Sequence, residues 1–221
     1  MAMQRHLATG WSRPFKRLAP ALPAAAAIAV LLNLLPWFTG NVTSASLLRP
    51  ERLPSSTTEL AEYVNDATSP TGRIYTIPGS DFANYRWGGT VDPVLPGLTD
   101  RSVLYRELIP QGSPATADLL NAFERRLFEG WFEPASLPTI AELLAVDTVV
   151  VRNDLEHERY RLARPGPLWT DVSSVLGTPD YAGRYIEDQS GSLLIDEIAL
   201  ARTDAATTFP ITAAFDIAGG G

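Results

Sequence analysis

The chain has 221 residues, 25 of them acidic and 18 basic, for a formal net charge of −7, and it contains no cysteine. This excludes a disulfide framework and thiol chemistry, and the acidic balance opposes nucleic acid or an anionic membrane surface as a partner. Hydrophobic residues at 45%, with five Trp and seven Tyr, are those of a folded domain rather than a disordered tail.

Arg5, Arg13, Lys16 and Arg17 make residues 1–17 a basic flank, with no acid among the first twenty positions. Residues 18–38, Leu18 to Phe38, then run without a charge, and the next charged side chain is Arg49. At about 1.5 Å per helical residue the run reaches roughly 31 Å, the thickness of a bilayer's hydrocarbon layer. With the basic flank on the cytoplasmic side, it predicts one N-terminal transmembrane helix in the plasma membrane and a C-terminal domain outside the cytoplasm. A cleaved signal peptide is the competing reading, with Thr43-Ser44-Ala45 as the cleavage site and a mature N-terminus near Ser46. A buried core helix is opposed by Pro20, Pro23 and Pro36. Beyond the flank, 14 basic residues face 25 acids, so the exported part is near −11.

Residues 39–55 form a linker, in which Asn41-Val-Thr43 fits a glycosylation sequon. An α/β extracytoplasmic domain is expected over 56–169. Ser56-Thr-Thr-Glu59 has capping-box spacing, and Leu60, Ala61 and Val64 share a helical face. Arg73-Ile-Tyr-Thr-Ile77 reads as a buried strand closed by Pro78-Gly79. A turn-rich loop, Ser80 to Arg101, leads to a strand over Val103–Leu108. Ser113-Pro114 starts a helix whose apolar side is Leu119, Leu120, Phe123 and Leu127, and Gly130 stops it. A second helix over Leu137–Ala145 runs into the strand Asp147-Thr-Val-Val-Val151. Helix-then-strand twice predicts an α/β (or α+β) layered fold with some parallel pairing. Beyond Arg164 the pattern turns to short strands, Leu193–Leu200 and Phe209–Ile217, so 170–221 reads as a β-rich, truncated segment ending at Gly219-Gly-Gly221.

Few constellations carry chemistry. His157 is the only imidazole outside the flank, so a His-rich metal site cannot be built, although an oxygen-only calcium site stays open. No metal or cofactor site is assigned. Asp154-Leu-Glu156-His157-Glu158, among Arg152, Arg159, Arg161 and Arg164, reads as a solvated, salt-bridged face rather than a ligand cluster. There is no Gly-x-Ser-x-Gly elbow, Walker loop or Gly-x-Gly-x-x-Gly. The segment 81–92 interleaves rings with carboxylate, amide and guanidinium groups. Asp81, Asn84, Tyr85, Arg86, Trp87 and Asp92 are therefore candidate glycan-binding residues, offering ring faces for C–H packing and polar groups for hydroxyls. The competing reading makes Phe82, Tyr85 and Trp87 anchors of a long loop, fixed by an Arg86–Asp92 pair.

Five blocks are familiar: Trp37-Phe-Thr-Gly-Asn41, Leu48-Arg-Pro-Glu-Arg52, Pro78-Gly-Ser-Asp-Phe82, Tyr85-Arg-Trp-Gly-Gly-Thr-Val-Asp-Pro93 and Val149-Val-Val-Arg-Asn-Asp154. Together they resemble the actinobacterial, mycobacterial-type α-(1→3)-arabinofuranosyltransferases over about 35–169, with a return near Phe215-Asp-Ile217. The resemblance implies part of a membrane-bound glycosyltransferase that moves arabinofuranose from a polyprenyl-phosphate donor to cell-wall arabinan. It further implies a later span plus part of the outer soluble region, with the multi-span catalytic region as a partner. The family's catalytic acid lies in an early outer loop with no counterpart here, so no catalytic residue carries over. This segment is then non-catalytic, an acceptor support or scaffold with cell-wall polysaccharide and the membrane as partners. The alternatives are a single-span non-catalytic envelope protein and a secreted glycan-binding module.

Overall fold

A computed structural model describes residues 21–40, 42, 51–66, 72–107, 112–160, 162–188 and 202–217. The expected basic flank, sequon, cleavage site, strand Leu193–Leu200 and terminal glycines lie outside the described residues, as do most of the linker and the end of the strand expected over Val103–Leu108. The chain divides into two units, Met1–Ser44 and Ala45–Gly221.

The first unit holds one helix, α1 (Ala21–Thr39), of 19 residues with Pro36 inside it. Asn33 Nδ2 donates to the Ala29 carbonyl at 2.8 Å, and Thr39 Oγ1 to that of Leu35 at 3.1 Å, so its polar side chains close on their own backbone. The transmembrane helix expected over 18–38 is corrected here. Among the described residues, no helix is long and apolar enough to cross a membrane. The 19 positions of α1 rise about 28 Å against a hydrocarbon layer of about 30 Å, and Asn33 and Pro36 interrupt its apolar run.

The second unit is a layered α/β structure. Its helix α2 (Ser55–Asp66) buries Leu60, Ala61 and Val64, the face expected from their spacing. Strand β1 (Arg73–Ile77) follows. The stretch expected as a turn-rich loop instead contains a hairpin, β2 (Ala83–Tyr85) and β3 (Gly88–Val91), then a 3-10 turn at Leu95–Gly97. Strand β4 is short (Val103–Leu104). Helix α3 (Pro114–Phe128) starts as its sequence predicts: the Thr116 amide donates to Ser113 Oγ at 3.2 Å, with Pro114 in the first turn. Gly130, at φ +71°, supplies the left-handed residue just beyond the helix end. Helix α4 (Ser136–Leu143) leads into β5 (Val146–Arg152), buried at every position.

The segment expected to be β-rich after Trp169 first completes a helix and then holds four strands. After the single turn α5 (His157–Tyr160) comes a full helix, α6 (Pro165–Leu176), in which Leu168, Trp169 and Val172 are buried at helical spacing. Strands β6 (Tyr181–Ala182), β7 (Tyr185–Glu187), β8 (Thr208–Pro210) and β9 (Thr212–Asp216) complete the described chain. The single late strand expected over Phe209–Ile217 is therefore two, divided at Ile211.

Five strands form one sheet in the order β4-β1-β5-β9-β6, parallel through β4, β1 and β5 and antiparallel from β9 onward. Tyr75 lies opposite Val149, which lies opposite Phe215. The pleat then sorts side chains by layer. Tyr75, Ile77, Val149, Val151, Ala213 and Phe215 pack with Phe123 and Leu127 of α3, Leu137 of α4 and Leu168 of α6. Ile74, Val150 and Ala214 pack on α2 from the opposite face. A strand covered on both faces reads as an unbroken apolar run, which is why 149–151 is so legible in the sequence.

Candidate functional site

The β2–β3 hairpin pairs Tyr85 with Gly88, leaving Arg86 and Trp87 as its two-residue tip. That tip docks on the chain just beyond β5. The Arg86 amide donates to the Asp154 carbonyl at 2.8 Å, and the Glu156 amide to the Asn84 carbonyl at 2.9 Å. Trp87 stacks on Tyr85, ring centroids 4.4 Å apart and 4° from parallel, and its Nε1 donates to Asp154 Oδ2 at 2.9 Å. Asp154, 1% exposed, also accepts from Arg152 Nε at 2.8 Å and Nη2 at 2.6 Å, a two-pronged ion pair in the interior. Burial works against the Arg152 charge, but the Asp154 carboxylate holds its pKa above the ordinary value. The Arg152 guanidinium lies 4.8 Å from the centre of the Tyr85 ring.

Arg86 reaches Glu158 with Nη2, at 2.9 Å and 3.1 Å to the two carboxylate oxygens, and His157 Nδ1 at 3.1 Å. A guanidinium only donates, so Nδ1 accepts and the histidine is neutral; burial, first, and the neighbouring cations lower its pKa. Asn84 Nδ2 donates to the Tyr160 hydroxyl at 3.1 Å. These bonds tie the tip rigidly to the sheet.

On the other side of Tyr85 is a crevice of about 30 Å³ at the carboxyl ends of β1, β4 and β5. Tyr85, Pro93, Leu95 and Tyr105 supply apolar and aromatic wall, and Thr76, Arg106 and Arg152 supply polar edges. Gly79 also lines it; a Cβ there would sit 2.6 Å from the Arg106 carbonyl oxygen, so only glycine allows the two backbones to approach this closely. Arg106 Nη1 donates to Asp81 Oδ1 at 2.7 Å, and its Nε lies 3.8 Å from Glu124 Oε2. Glu124 is fully buried and accepts from Tyr75 OH at 3.0 Å and the Gly79 amide at 2.6 Å. Burial pushes its pKa up to about 7, against the pull of Arg106 and both hydrogen bonds.

The six candidate residues thus divide. Tyr85 lines the crevice, Asp81 reaches it through Arg106, and Asp92 is exposed further along the hairpin strand. Asn84, Arg86 and Trp87 face the segment 154–160 and spend their polar groups there. Arg86 is bonded to Glu158 and His157, so the expected Arg86–Asp92 pair is corrected. The segment 154–158 is corrected too: Asp154 and His157 are 1% and 2% exposed, while Arg86–Glu158 and Arg159–Glu156 form the solvated part. Arg106 and Thr76 were not among the candidates, and Arg152 and Asp154 were read as part of a solvated, salt-bridged face. For Arg152 the signal was position: a charged residue directly continuing the apolar run Val149–Val151 enters the interior and needs a partner there. Among the described residues no group of three His, Cys, Asp or Glu is arranged to hold a metal ion.

Comparison with known proteins gives a consistent result. The family model described as alpha-(1->3)-arabinofuranosyltransferase, N-terminal GT-C domain, matches residues 2–183. The chain is 34% identical over 181 residues to the alpha-(1->3)-arabinofuranosyltransferase of Mycobacterium tuberculosis, covering 78% of this chain and 12% of that protein. It is 31% identical over 139 residues to that of Mycolicibacterium smegmatis, covering 62% of this chain and 10% of that one. A cryo-EM structure of arabinofuranosyltransferase AftD from Mycobacteria superposes with a TM-score of 0.63 at 23% identity, over 87% of this chain and 14% of that one, a likeness of fold.

Proposed function

This chain belongs to the α-(1→3)-arabinofuranosyltransferase family, and from that premise we propose that it is a non-catalytic, acceptor-supporting segment of a glycosyltransferase. The enzyme would move arabinofuranose from a polyprenyl-phosphate donor to cell-wall arabinan at the envelope. The residues here would hold the polymer and leave the chemistry to another region.

The observation that carries this reading is the hairpin. Its half-buried Trp87, stacked on the buried Tyr85 and bonded to the buried Asp154, stands beside the exposed Arg86 and an open crevice, so an indole ring and a cation are held together where a sugar chain would meet them. The non-catalytic part is supported by the small share of the relative that the chain spans, 12% of the Mycobacterium tuberculosis protein. The test is calorimetric titration of the chain with arabinofuranosyl oligosaccharides, together with acceptor kinetics of the intact enzyme carrying Trp87→Ala. Binding, with a raised acceptor KM and little change in kcat, is the expected result. No binding and unchanged kinetics would remove the acceptor role.

A further inference from the structure

Arg106, just beyond β4, stands between two carboxylates at different depths. Asp81, at the root of the hairpin, has a side chain 41% exposed and takes Arg106 Nη1 at 2.7 Å. Glu124, on α3, has no exposed surface and lies 3.8 Å from Arg106 Nε, too far for a hydrogen bond. That Nε is itself shielded from solvent and has no hydrogen-bond partner among the described residues. An N–H left unpaired in the interior is costly, and Glu124 Oε2 is the carboxylate oxygen beside it. The polar groups that face Glu124 are Tyr75 of β1, the Gly79 and Arg106 amides and the Arg106 guanidinium.

The surroundings hold the backbone still and leave the side chain free to respond. The Ser80 amide donates to the Arg106 carbonyl at 3.1 Å, and the Gly79 backbone packs directly on that residue. The guanidinium rests over the Phe128 ring, 4.8 Å from its centre, a contact that tolerates a slide across the ring. Neutral Glu124 exerts no net pull on a cation, and Arg106 stays with Asp81, as in the structure. Ionised Glu124 is a buried charge that needs a partner, and an inward shift of Nε by about 1 Å would complete a hydrogen bond to it. Burial pushes the Glu124 pKa up to about 7, so both states are reached under mild conditions.

We propose that Arg106 is a proton-operated latch, held outward by Asp81 while Glu124 is neutral and drawn inward when Glu124 is ionised. The two carboxylates compete for one guanidinium, so the hold on Asp81 at the hairpin root loosens as the latch turns inward. The device couples a proton deep beside α3 to a polar group on the hairpin, and it stands whether or not a sugar binds there.

The experiment follows the full chain by NMR from about pH 5.5 to about pH 8.5, a span that brackets the Glu124 transition. The signals recorded are the Arg106 Nε–H and the Glu124 carboxyl carbon, in the parent, Glu124→Gln and Asp81→Asn. In the parent the Arg106 signal should shift with the same midpoint as the Glu124 carboxyl, about 7. In Glu124→Gln it should stay flat. In Asp81→Asn nothing holds the arginine outward, and the Glu124 midpoint should fall by about one pH unit. That fall should persist in about 0.5 M salt, because it works through contact rather than through the long-range field. Both substitutions keep the side-chain shape, and Asp81→Asn, at an exposed position, decides if Glu124→Gln does not fold. An Arg106 signal that stays flat while Glu124 titrates overturns the latch. So does a Glu124 midpoint that is unchanged in Asp81→Asn or lowered only at low salt. A Glu124 carboxyl that does not titrate across the range overturns it as well.

Discussion

Strand β5 carries a buried arginine–aspartate pair at each end, and the two pairs do different work. At its start, Asp147 meets Arg101, whose guanidinium also donates to the Val64 carbonyl at 3.2 Å and lies beside Thr148 Oγ1. That pair is enclosed between the sheet and α2 and joins three stretches of backbone: the loop at Arg101, α2 and β5. Just past the strand's end, Arg152 and Asp154 form a closed fork of similar burial, but Asp154 also receives Trp87 Nε1 and Arg152 lies against Tyr85. One pair closes the sheet, and the other builds a platform for the hairpin. Buried ion pairs contribute little net stability over a good apolar replacement, so their value here is in fixing position.

The largest effect should come from cutting each pair. Asp154→Ala and Asp147→Ala each strand a buried guanidinium and should cost about 3–5 kcal/mol in chemical denaturation. The comparison breaks if both variants lose oligosaccharide binding equally under folding conditions, because only Asp154 should matter to the hairpin.

Glu124 sharpens the contrast, being a buried charge whose guanidinium partner stays 3.8 Å away. Its folded pKa of about 7 lies above the reference 4.5. The protonated form therefore favours folding: the contribution is fully present below pH 4.5 and is lost as pH rises through 7, roughly 3 kcal/mol in all. Melting temperatures of the parent should fall relative to Glu124→Gln across that window, by on the order of 5–10 °C. A constant difference between the two proteins would show that the group does not titrate there.

The smallest effect concerns Val91, a β-branched residue at φ +69° and 65% exposed, so little packing offsets its backbone strain. Val91→Gly should stabilise by about 0.5–1 kcal/mol in denaturant melts, after allowing for glycine's extra freedom when unfolded. Destabilisation would mean that the side chain anchors the hairpin after all.

Local signals were legible in the sequence. Ser113 and Pro114 set the start of α3, Gly130 its end, and Val149–Val151 the central strand, because caps and unbroken apolar runs act over a few residues. Helix α6 was missed because Pro165, Gly166 and Pro167 resemble loop composition, although a proline in the first turn is a helix start. The hairpin was hidden because β2 and β3 have three and four residues and take their order from Asp154, nearly seventy positions away. The site suffered most from this: Tyr85 and Trp87 stood out as aromatic, while their partners Arg152 and Asp154 could be found only by knowing which strand lay in the middle.

The interior position of β9 has a consequence for synthesis. Residues 212–216 sit between β5 and β6, so a chain still emerging from the ribosome holds β5 with one edge unpaired until those residues arrive. Residues 153–211 separate the two strands, and closing so long a connection is slow. During that interval the Val149–Val151 edge is open to any extended segment that meets it, which makes nascent-chain shielding a practical requirement for producing this protein in quantity.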